Sequence, residues 1–282
     1  MAHDDEFDQP HRWYSTNLVG VPAPVLASTA FNQHPAALSI AGTRATHPGL
    51  FALLDRSQTL GEASDMFVHY LAIAFGLRKP ERHELAALGV AEQRRWRSSW
   101  RKLLQGWGMD ANGPAGAVLK GWVESRFGLV PSYHKAPLAR FPSTAWVAYL
   151  EEKAASRHHN NNIHQQLDLL YEFCQWALRR FPPRGSAPFP AHLRLWRGST
   201  RCEEQVTAGR LQSRHCTVRL NNIVSFSLSP QDAACFGDWV LEAQVPACKL
   251  LVFPGLLPGQ VLQGEQEVLA LGGDYEVVAR YA

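Results

Sequence analysis

The chain has two regions whose apolar residues repeat at different intervals. From about residue 28 to residue 182 the apolar residues recur every three or four positions, which is the spacing of one face of an α-helix. The clearest case is the segment 162–181, whose apolar positions include Ile163, Leu167, Leu170, Phe173, Cys174 and Ala177. This first region is therefore predicted to be mainly helical.

Residues typical of helix ends support that prediction. Residues 61–75 are an apolar stretch for which Ser64 or Asp65 is a candidate N-cap, because short polar side chains accept hydrogen bonds from the free N–H groups of a first turn. Residues 142–155 have a Ser/Thr cap directly after Pro142 and continue with a glutamate-rich turn. The segment 162–181 closes with two arginines before two prolines, as helix C-termini commonly do.

Beyond the proline- and glycine-rich segment 181–192 the pattern changes to that of short strands. The strand-like runs are LRLWRGS, NIVSFSLS, WVLEAQVP, KLLVFPG, QEVLALGG and YEVVARYA. Helices followed by strands predict an α+β fold. We expect residues 1–282 to form a single domain, mainly helical over residues 1–185 and β-rich over residues 186–282.

Composition and charge narrow the class of protein. With 46% hydrophobic and 19% charged residues, the chain is typical of soluble globular proteins. A formal charge of +3 does not by itself indicate nucleic-acid binding, and no apolar run approaches the roughly 20 residues that span a bilayer. The polar, acidic N-terminus is unlike a signal peptide. Five cysteines without a C-x-x-C pair favour reduced thiols and a cytoplasmic location.

A histidine-rich segment raises the question of a metal site. His158, His159 and His164 flank a run of three asparagines. No acid or cysteine at ligand spacing completes a coordination set. A polar loop is therefore the favoured interpretation, and no metal is expected.

The polar residues that stand out lie in the strand-rich region, since the usual glycine-rich nucleotide loops and hydrolase motifs are absent. Arg197 lies where an apolar strand meets a turn. Ser225 and Ser227 share one face of a later strand, because residues i and i+2 of a strand point the same way. Glu265 and Glu267 would share a face of another strand for the same reason. Taken singly, each feature has an ordinary explanation. The arginine would be solvated or paired with an acid, the serines would be ordinary strand residues, and the glutamates would be solvated surface acids.

Together these residue types indicate a specific chemistry. An arginine can clamp a phosphate with two parallel hydrogen bonds. A serine can hydrogen-bond a ribose or hold a carboxylate in place, and a carboxylate stabilises the positive charge that develops at an anomeric carbon. The combination predicts a site that splits the bond between nicotinamide and ribose in NAD.

The order arginine, S-x-S and E-x-E on successive strands resembles the arginine–serine–glutamate pattern of mono-ADP-ribosyltransferases. The segments LRLWRGST, IVSFSLSPQDAACFG, VLEAQVPACKLLVFPG and GEQEVLALGGDYEVV carry this resemblance. With WYSTNLVGVPAPVLAS and PSYHKAPLARFPSTAWVAYLEEK, it covers nearly the whole chain. The chain therefore resembles the bacterial family of NAD+–dinitrogen-reductase ADP-ribosyltransferases.

The resemblance implies a fold and a function. The fold would be ADP-ribosyltransferase-like, with a helical N-terminal half and a β-rich NAD-binding core of two packed sheets that carries the active site. The activity would be transfer of ADP-ribose from NAD to an arginine of dinitrogenase reductase, the nitrogenase iron protein, which switches nitrogen fixation off. A PII-type signalling protein would be a regulator.

The resemblance also implies roles for individual residues. Arg197 should bind NAD, mainly through its phosphates, and Gly198 should let the backbone approach NAD, although a turn glycine explains it nearly as well. Ser225 should support the nicotinamide ribose and orient the catalytic glutamate, with Ser227 as a weaker second. Glu267 should be the catalytic residue that stabilises the oxocarbenium-like state. In this scheme Glu265 holds or deprotonates the incoming guanidinium.

Two positions depart from the family pattern. Phe226 occupies the middle of the S-T-S motif, and on a strand it points away from Ser225 and Ser227, so we expect it in the core. The loop PGLLPGQVLQG before the acids lacks the aromatic residue that many relatives use to touch their acceptor. Either Leu256 and Leu257 or the helical half would then recognise the acceptor.

Two further features have open interpretations. Phe236 is either a ring that stacks on nicotinamide or a core aromatic. Residues 92–107 are predicted to be an amphipathic helix, with Arg94, Arg95, Arg97, Arg101 and Lys102 as basic residues and Trp96, Trp100, Leu103 and Trp107 at helical spacing. The basic face is either solvated or a docking surface for an acidic protein, and nucleic acid is the third choice.

Other functions stay open at this level. A protein of the same fold could bind a nucleotide without transferring anything, and an NAD glycohydrolase would use water as acceptor. An arginine-specific transferase with another target is a further alternative. Intact Arg197, Ser225 and Glu267 argue against the non-catalytic protein, and Glu265 argues against the glycohydrolase.

Overall fold

The helices lie mostly in the first two thirds of the protein. The structure is a computed structural model that describes residues 17–77, 98–182, 190–262, 264 and 266–282. Its α-helices are α1 (Ala23–Leu26), α2 (Thr29–Gln33), α3 (Thr43–Thr46), α4 (Pro48–Leu54), α5 (Leu60–Ala74), α6 (Trp100–Met109), α7 (Pro114–Phe127), α8 (Thr144–Ala155), α9 (Asn161–Arg180) and α10 (Pro230–Ala234). None of these helices has both the length and the apolar character needed to cross a membrane.

The strands lie mostly in the last third. They are β1 (Tyr133–His134), β2 (Ala136–Pro137), β3 (His192–Ser199), β4 (Val206–Gly209), β5 (His215–Ser227), β6 (Trp239–Pro246), β7 (Leu250–Val252) and β8 (Glu267–Tyr281). The first two form a small hairpin, and the other six form one antiparallel sheet in the order β4-β5-β3-β6-β8-β7, with a further pairing of β5 with β8. The predicted α+β class, with helices before strands, is confirmed.

The predicted helix starts are right in one case and wrong in another. Ser143 caps α8, its side chain accepting a hydrogen bond from the backbone N–H of Trp146. For α5 the N-cap is Thr59, not Ser64 or Asp65. The helix thus begins five or six residues earlier than the candidate caps Ser64 and Asp65 suggested. The Ser64 hydroxyl is buried inside the helix and bonds to the carbonyl of Leu256 at 2.7 Å.

The prediction of separate strands on either side of Gly272 and Gly273 is wrong, because β8 runs through both glycines. A Cβ on Gly272 would lie 1.6 Å from the carbonyl oxygen of Asn221, and Gly273 has a φ of 112°. The neighbouring strand β5 is bulged between Leu220 and Ile223. The two glycines therefore bend the strand around the bulge instead of ending it.

Each of the two long strands changes partners along its length. The first half of β5 pairs with β4, and its last residue pairs with β3. The first half of β8 pairs with β7, and its second half pairs with β6. Because β3 also pairs with β6, the pairings among β3, β6, β8 and β5 form a closed circuit.

Helix α9 connects the helical part to the sheet. It is 20 residues long and has most of its length buried. Phe173 stacks on Phe67 of α5 with ring centroids 4.2 Å apart, while the Tyr171 hydroxyl donates to the carbonyl of Cys248 at 2.7 Å. One buried cluster of apolar residues therefore includes side chains from both the helices and the strands.

The predicted continuous helix over residues 92–107 is wrong in the part that the structure describes. Ser99 has extended backbone angles and caps α6, which begins at Trp100. Residues 92–97 lie outside the described residues. The predicted apolar stripe is confirmed for Trp100, Leu103 and Trp107, which are buried.

Candidate active site

The pairing of β5 with β8 brings the predicted serines and the second glutamate together. Ser227 lies directly opposite Glu267, so the two side chains project from the same face of the sheet. Ser225 is two residues away on the same strand and shares that face. It is the diagonal neighbour of Glu267, at a distance that a long side chain can bridge.

Both carboxylate oxygens of Glu267 have a hydrogen-bond donor. The Ser225 hydroxyl donates to Oε1 at 2.6 Å, and the backbone N–H of Gly264 donates to Oε2 at 3.2 Å. The carboxylate orientation is thus fixed from two sides. Residue 264 lies in a bend, residue 266 lies in a turn and β8 starts at Glu267, so the prediction that the strand already includes residues 264 and 266 is wrong. Glu265 lies outside the described residues, and its proposed role stays a prediction.

Arg197 lies on β3 and reaches the same serine from the other side. Its Nη1 donates to the backbone carbonyl of Ser225 at 2.7 Å. Its Nε is buried and has no hydrogen-bond partner among the described residues. Burial lowers the pKa of Arg197, while the charge of Glu267 acts in the opposite direction. The guanidinium therefore keeps a buried donor that an anionic ligand can satisfy.

Gly198 allows close contact between β3 and α10. A Cβ on Gly198 would lie 2.0 Å from the carbonyl oxygen of Ala233 and 3.0 Å from the Cβ of Phe236. Any side chain would therefore push the helix off the strand. The glycine lies within β3, so the turn interpretation is wrong.

The aromatic and serine positions near the site differ in burial. Phe226 is buried and packs edge-on against Tyr275, which confirms its predicted place in the core. Phe236 is 72% exposed, so the core alternative for this residue is wrong. Ser227 is buried, and its hydroxyl accepts the N–H of Ser229 at 3.0 Å. Ser227 thus holds the turn into α10.

Two groups at the site were not identified from the sequence. The indole Nε1 of Trp107 donates to the Ser225 hydroxyl at 3.1 Å, and Gly264 contributes its backbone N–H. In the sequence, Trp107 fits only the apolar stripe of its helix. Apolar periodicity alone does not show whether the N–H of a buried indole contacts a candidate active site or the side chain only packs in the core.

Two residues of the helical part of the chain hold the loop before Glu267. Leu256 and Leu257 are both buried, which leaves the helical half as the alternative for acceptor recognition. Ser64 bonds to the carbonyl of Leu256, as described above, and the Arg101 guanidinium bonds to the carbonyl of Pro258. Arg101 therefore belongs to this contact and not to a freely solvated basic face.

His158 and His164 take no part in the contacts described above, whereas the Cys202 thiol lies close enough to Arg197 for each group to influence the pKa of the other. Burial lowers the pKa of His158 and of His164 to about 4. No group of three potential metal ligands occurs among the residues that the structure describes. The cysteines Cys174, Cys202, Cys216, Cys235 and Cys248 are all free thiols.

Comparison with known proteins identifies the family of this chain. Residues 16–279 match the family model described as dinitrogenase reductase ADP-ribosyltransferase. The chain belongs to this family. A curated relative from Rhodospirillum rubrum, NAD(+)--dinitrogen-reductase ADP-D-ribosyltransferase, is 47% identical over 274 residues, which cover 97% of this chain and 98% of the relative. No solved structure matches the chain. The resemblance inferred from the sequence is thereby confirmed.

Proposed function

We propose that this member of the dinitrogenase reductase ADP-ribosyltransferase family moves ADP-ribose from NAD to an arginine of dinitrogenase reductase. Modification would inactivate that protein and so regulate nitrogen fixation. The observation that carries the proposal is the continuous contact from Arg197 through Ser225 to Glu267. The relative from Rhodospirillum rubrum, named for the same reaction, supports the choice of acceptor.

The proposed NAD site uses the residues around β3 and the end of β5. Arg197 would bind the phosphates, because its buried Nε lacks a partner among the described residues and guanidinium groups match phosphate oxygens geometrically. Gly198 would act by letting α10 pack beside that arginine. Phe236 is exposed next to Gly198 and would stack on nicotinamide. Ser227 would contribute by fixing the turn into α10.

The proposed chemistry is cleavage of the bond between C1′ of the ribose and the nicotinamide nitrogen. Nicotinamide leaves with the bonding electron pair, and positive charge develops on the ribose. The Glu267 carboxylate stabilises this charge, because a preorganised anion acts most strongly where charge appears in the transition state. Ser225 holds that carboxylate in place.

The acceptor nitrogen then forms the new bond to C1′. A guanidinium is protonated at ordinary pH and is a weak nucleophile, so a nearby carboxylate must orient it and accept its proton. We propose Glu265 for this role, as the family pattern implies. Since Leu256 and Leu257 are buried, the acceptor protein would be recognised by the helical half.

Finer structural and cellular features are also proposals. The closed circuit of strand pairings supports a sheet that curls into two packed layers, as in the ADP-ribosyltransferase fold. The shared buried cluster supports one catalytic domain over residues 1–282. The free thiols support a cytoplasmic location. The proposal of a PII-type regulator rests on the resemblance alone. Adding increasing amounts of a purified PII-type protein to the transfer assay tests it.

The experiment is incubation with NAD labelled in its ADP-ribose portion and purified dinitrogenase reductase, with free nicotinamide measured in the same tube. We expect label on one arginine of the reductase, located by mass spectrometry. Glu267→Gln should remove the label. Glu242→Gln, which changes a carboxylate paired with Arg280 at 3.4 Å, is the matched control and should keep it.

Other outcomes distinguish the alternatives. Nicotinamide release without labelled protein would indicate an NAD glycohydrolase. NAD binding without nicotinamide release would indicate a non-catalytic nucleotide-binding protein. Label on another protein of a cell extract, but not on the reductase, would indicate a different target.

A further inference from the structure

A tryptophan from the helical part of the chain contacts the catalytic serine. Trp107 lies near the end of α6 and is 5% exposed. Its Nε1 is 3.1 Å from the Oγ of Ser225, although the two residues are 118 positions apart in the sequence. The contact is therefore a product of tertiary packing.

The chemistry of the two groups fixes the direction of the hydrogen bonds. An indole N–H can only donate, whereas a serine hydroxyl has one proton and two acceptor sites. Since Ser225 must accept from Trp107, its single proton stays available for the bond to Glu267, which is 2.6 Å long. The order of donors is thus Trp107, then Ser225, then the carboxylate.

We propose that Trp107 is a positioning residue for the transfer reaction, acting on Glu267 through Ser225. The indole N–H would hold the serine hydroxyl in the one rotamer that donates to Oε1. In that rotamer the carboxylate keeps the orientation needed at the developing oxocarbenium ion. This proposal rests on the transferase function proposed above.

The surroundings of α6 hold the indole in a fixed position. Ser99 caps the first turn by accepting the N–H of Lys102, and Arg101 bonds to the loop carbonyl of Pro258. Gly106 brings α6 close to α7, because a Cβ there would lie 2.6 Å from the Cβ of Ala115. A helix with a capped first turn that is held against its neighbours at two places can present one N–H in a constant direction.

The direct test is Trp107→Phe, which keeps an aromatic ring but removes the N–H. We expect kcat for nicotinamide release to fall by about 3- to 10-fold, the equivalent of one neutral hydrogen bond. The KM for NAD should change by less than about twofold, because Trp107 contacts the serine and not the phosphate clamp. Trp100→Phe on the same helix is the matched control and should leave kcat unchanged.

A double-mutant cycle separates positioning from general structural damage. If Trp107 acts through Ser225, adding Trp107→Phe to Ser225→Ala should lower kcat no further. Independent, multiplicative effects of the two substitutions would overturn the proposal. A wild-type protein that releases no nicotinamide would instead overturn the proposed function, and the positioning role with it.

A second measurement covers the case in which Trp107→Phe does not fold. In protein labelled with ¹⁵N-tryptophan, Ser225→Ala should shift one indole N–H resonance and speed its hydrogen exchange. The Trp100→Phe variant identifies a different indole resonance, which should be the same with and without Ser225→Ala. If Ser225→Ala moves no indole resonance, the contact and the proposal are wrong.

Discussion

At the scale of single residues, hydrogen bonds fix the orientation of the Glu267 carboxylate and of the Arg197 guanidinium. The Glu267 carboxylate receives a donor on each oxygen. The Arg197 guanidinium is held by the carbonyl of Ser225 and keeps a buried Nε without a partner among the described residues. In the proposed cleavage of NAD, the oriented carboxylate would stabilise the charge that develops on the ribose, and the free guanidinium donor would bind a phosphate oxygen.

The first prediction concerns the catalytic carboxylate. Glu267→Gln keeps the size of the side chain but removes the charge that opposes the oxocarbenium ion. We expect kcat to fall by about 10²- to 10³-fold, while NAD binding measured by calorimetry changes much less. Near-native transfer by this variant would show that another group is the catalytic residue.

The second prediction concerns the phosphate clamp. Arg197→Lys keeps the charge but loses the planar fork of donors. Losing one or two charge-assisted hydrogen bonds should raise the KM for NAD about tenfold or more. The measurement is an NAD titration of initial rates. An unchanged titration curve would assign Arg197 a purely structural role.

The third prediction separates the two glutamates. Glu265→Gln should abolish labelling of the acceptor arginine but leave slow release of nicotinamide to water, because bond cleavage precedes attack by the acceptor. Both products are measured in one tube with acceptor present. A parallel fall of both products would mean that Glu265 also serves cleavage, and persistent labelling would argue against an arginine acceptor.

At the scale of secondary-structure elements, the site depends on how closely helices approach the sheet. Helix α10 contacts β3 at Gly198, and α6 reaches the site through Trp107 and the loop before β8 through Arg101. The loop and the serine are thus both held by one helix. Elements far apart in the sequence therefore determine the geometry of the Glu267 carboxylate.

The fourth prediction tests the contact between α10 and β3. Gly198→Ala places a methyl group within 2.0 Å of the carbonyl of Ala233, so the helix must shift. We expect a loss of about 1–3 kcal/mol in the free energy of unfolding, measured by urea denaturation without NAD. Gly49→Ala is the control, because no atom lies within 4 Å of the added methyl. If Gly198→Ala keeps full stability and loses only NAD binding, the glycine serves NAD approach instead.

At the scale of the whole molecule, buried lysines couple stability to pH. Burial lowers the pKa of Lys249, and likewise that of Lys120, to about 7. The unfolded chain binds protons at these lysines up to their ordinary pKa near 10.5, so the unfolded state holds more protons above pH 7. The free energy of unfolding should therefore rise with pH from about 7 upward.

The fifth prediction measures this coupling. Between pH 7 and pH 9 the melting temperature of the wild type should increase, and Lys249→Met should weaken the increase. The pH range of this increase is limited at its upper end by buried thiols. Burial raises the pKa of Cys202 and of Cys248 to about 11, which lowers the free energy of unfolding at higher pH. Lys102→Met, at an exposed position, is the control. Equal slopes for the wild type and Lys249→Met would contradict the prediction.

The sequence by itself determined the fold class, the main elements and the residue types of the site. Apolar periodicity is a local property, so it located α9 and the strands β3 and β6 well. The chemistry of Arg197, Ser225 and Glu267 also follows from side-chain type, and alternation along a strand correctly separated Phe226 from the serines. These conclusions needed only neighbours in sequence.

Only the tertiary structure decided which groups meet. The bend of β8 at Gly272 depends on the bulge in the neighbouring strand. A glycine in the sequence does not by itself show whether a strand bends or ends at that position. Leu256 is buried and Phe236 is exposed, and the sequence left both cases open, because burial depends on what packs over a residue. Trp107 joined the site through a contact across 118 residues. Hydrogen bonds between distant segments arise from packing in three dimensions, and no local pattern encodes them.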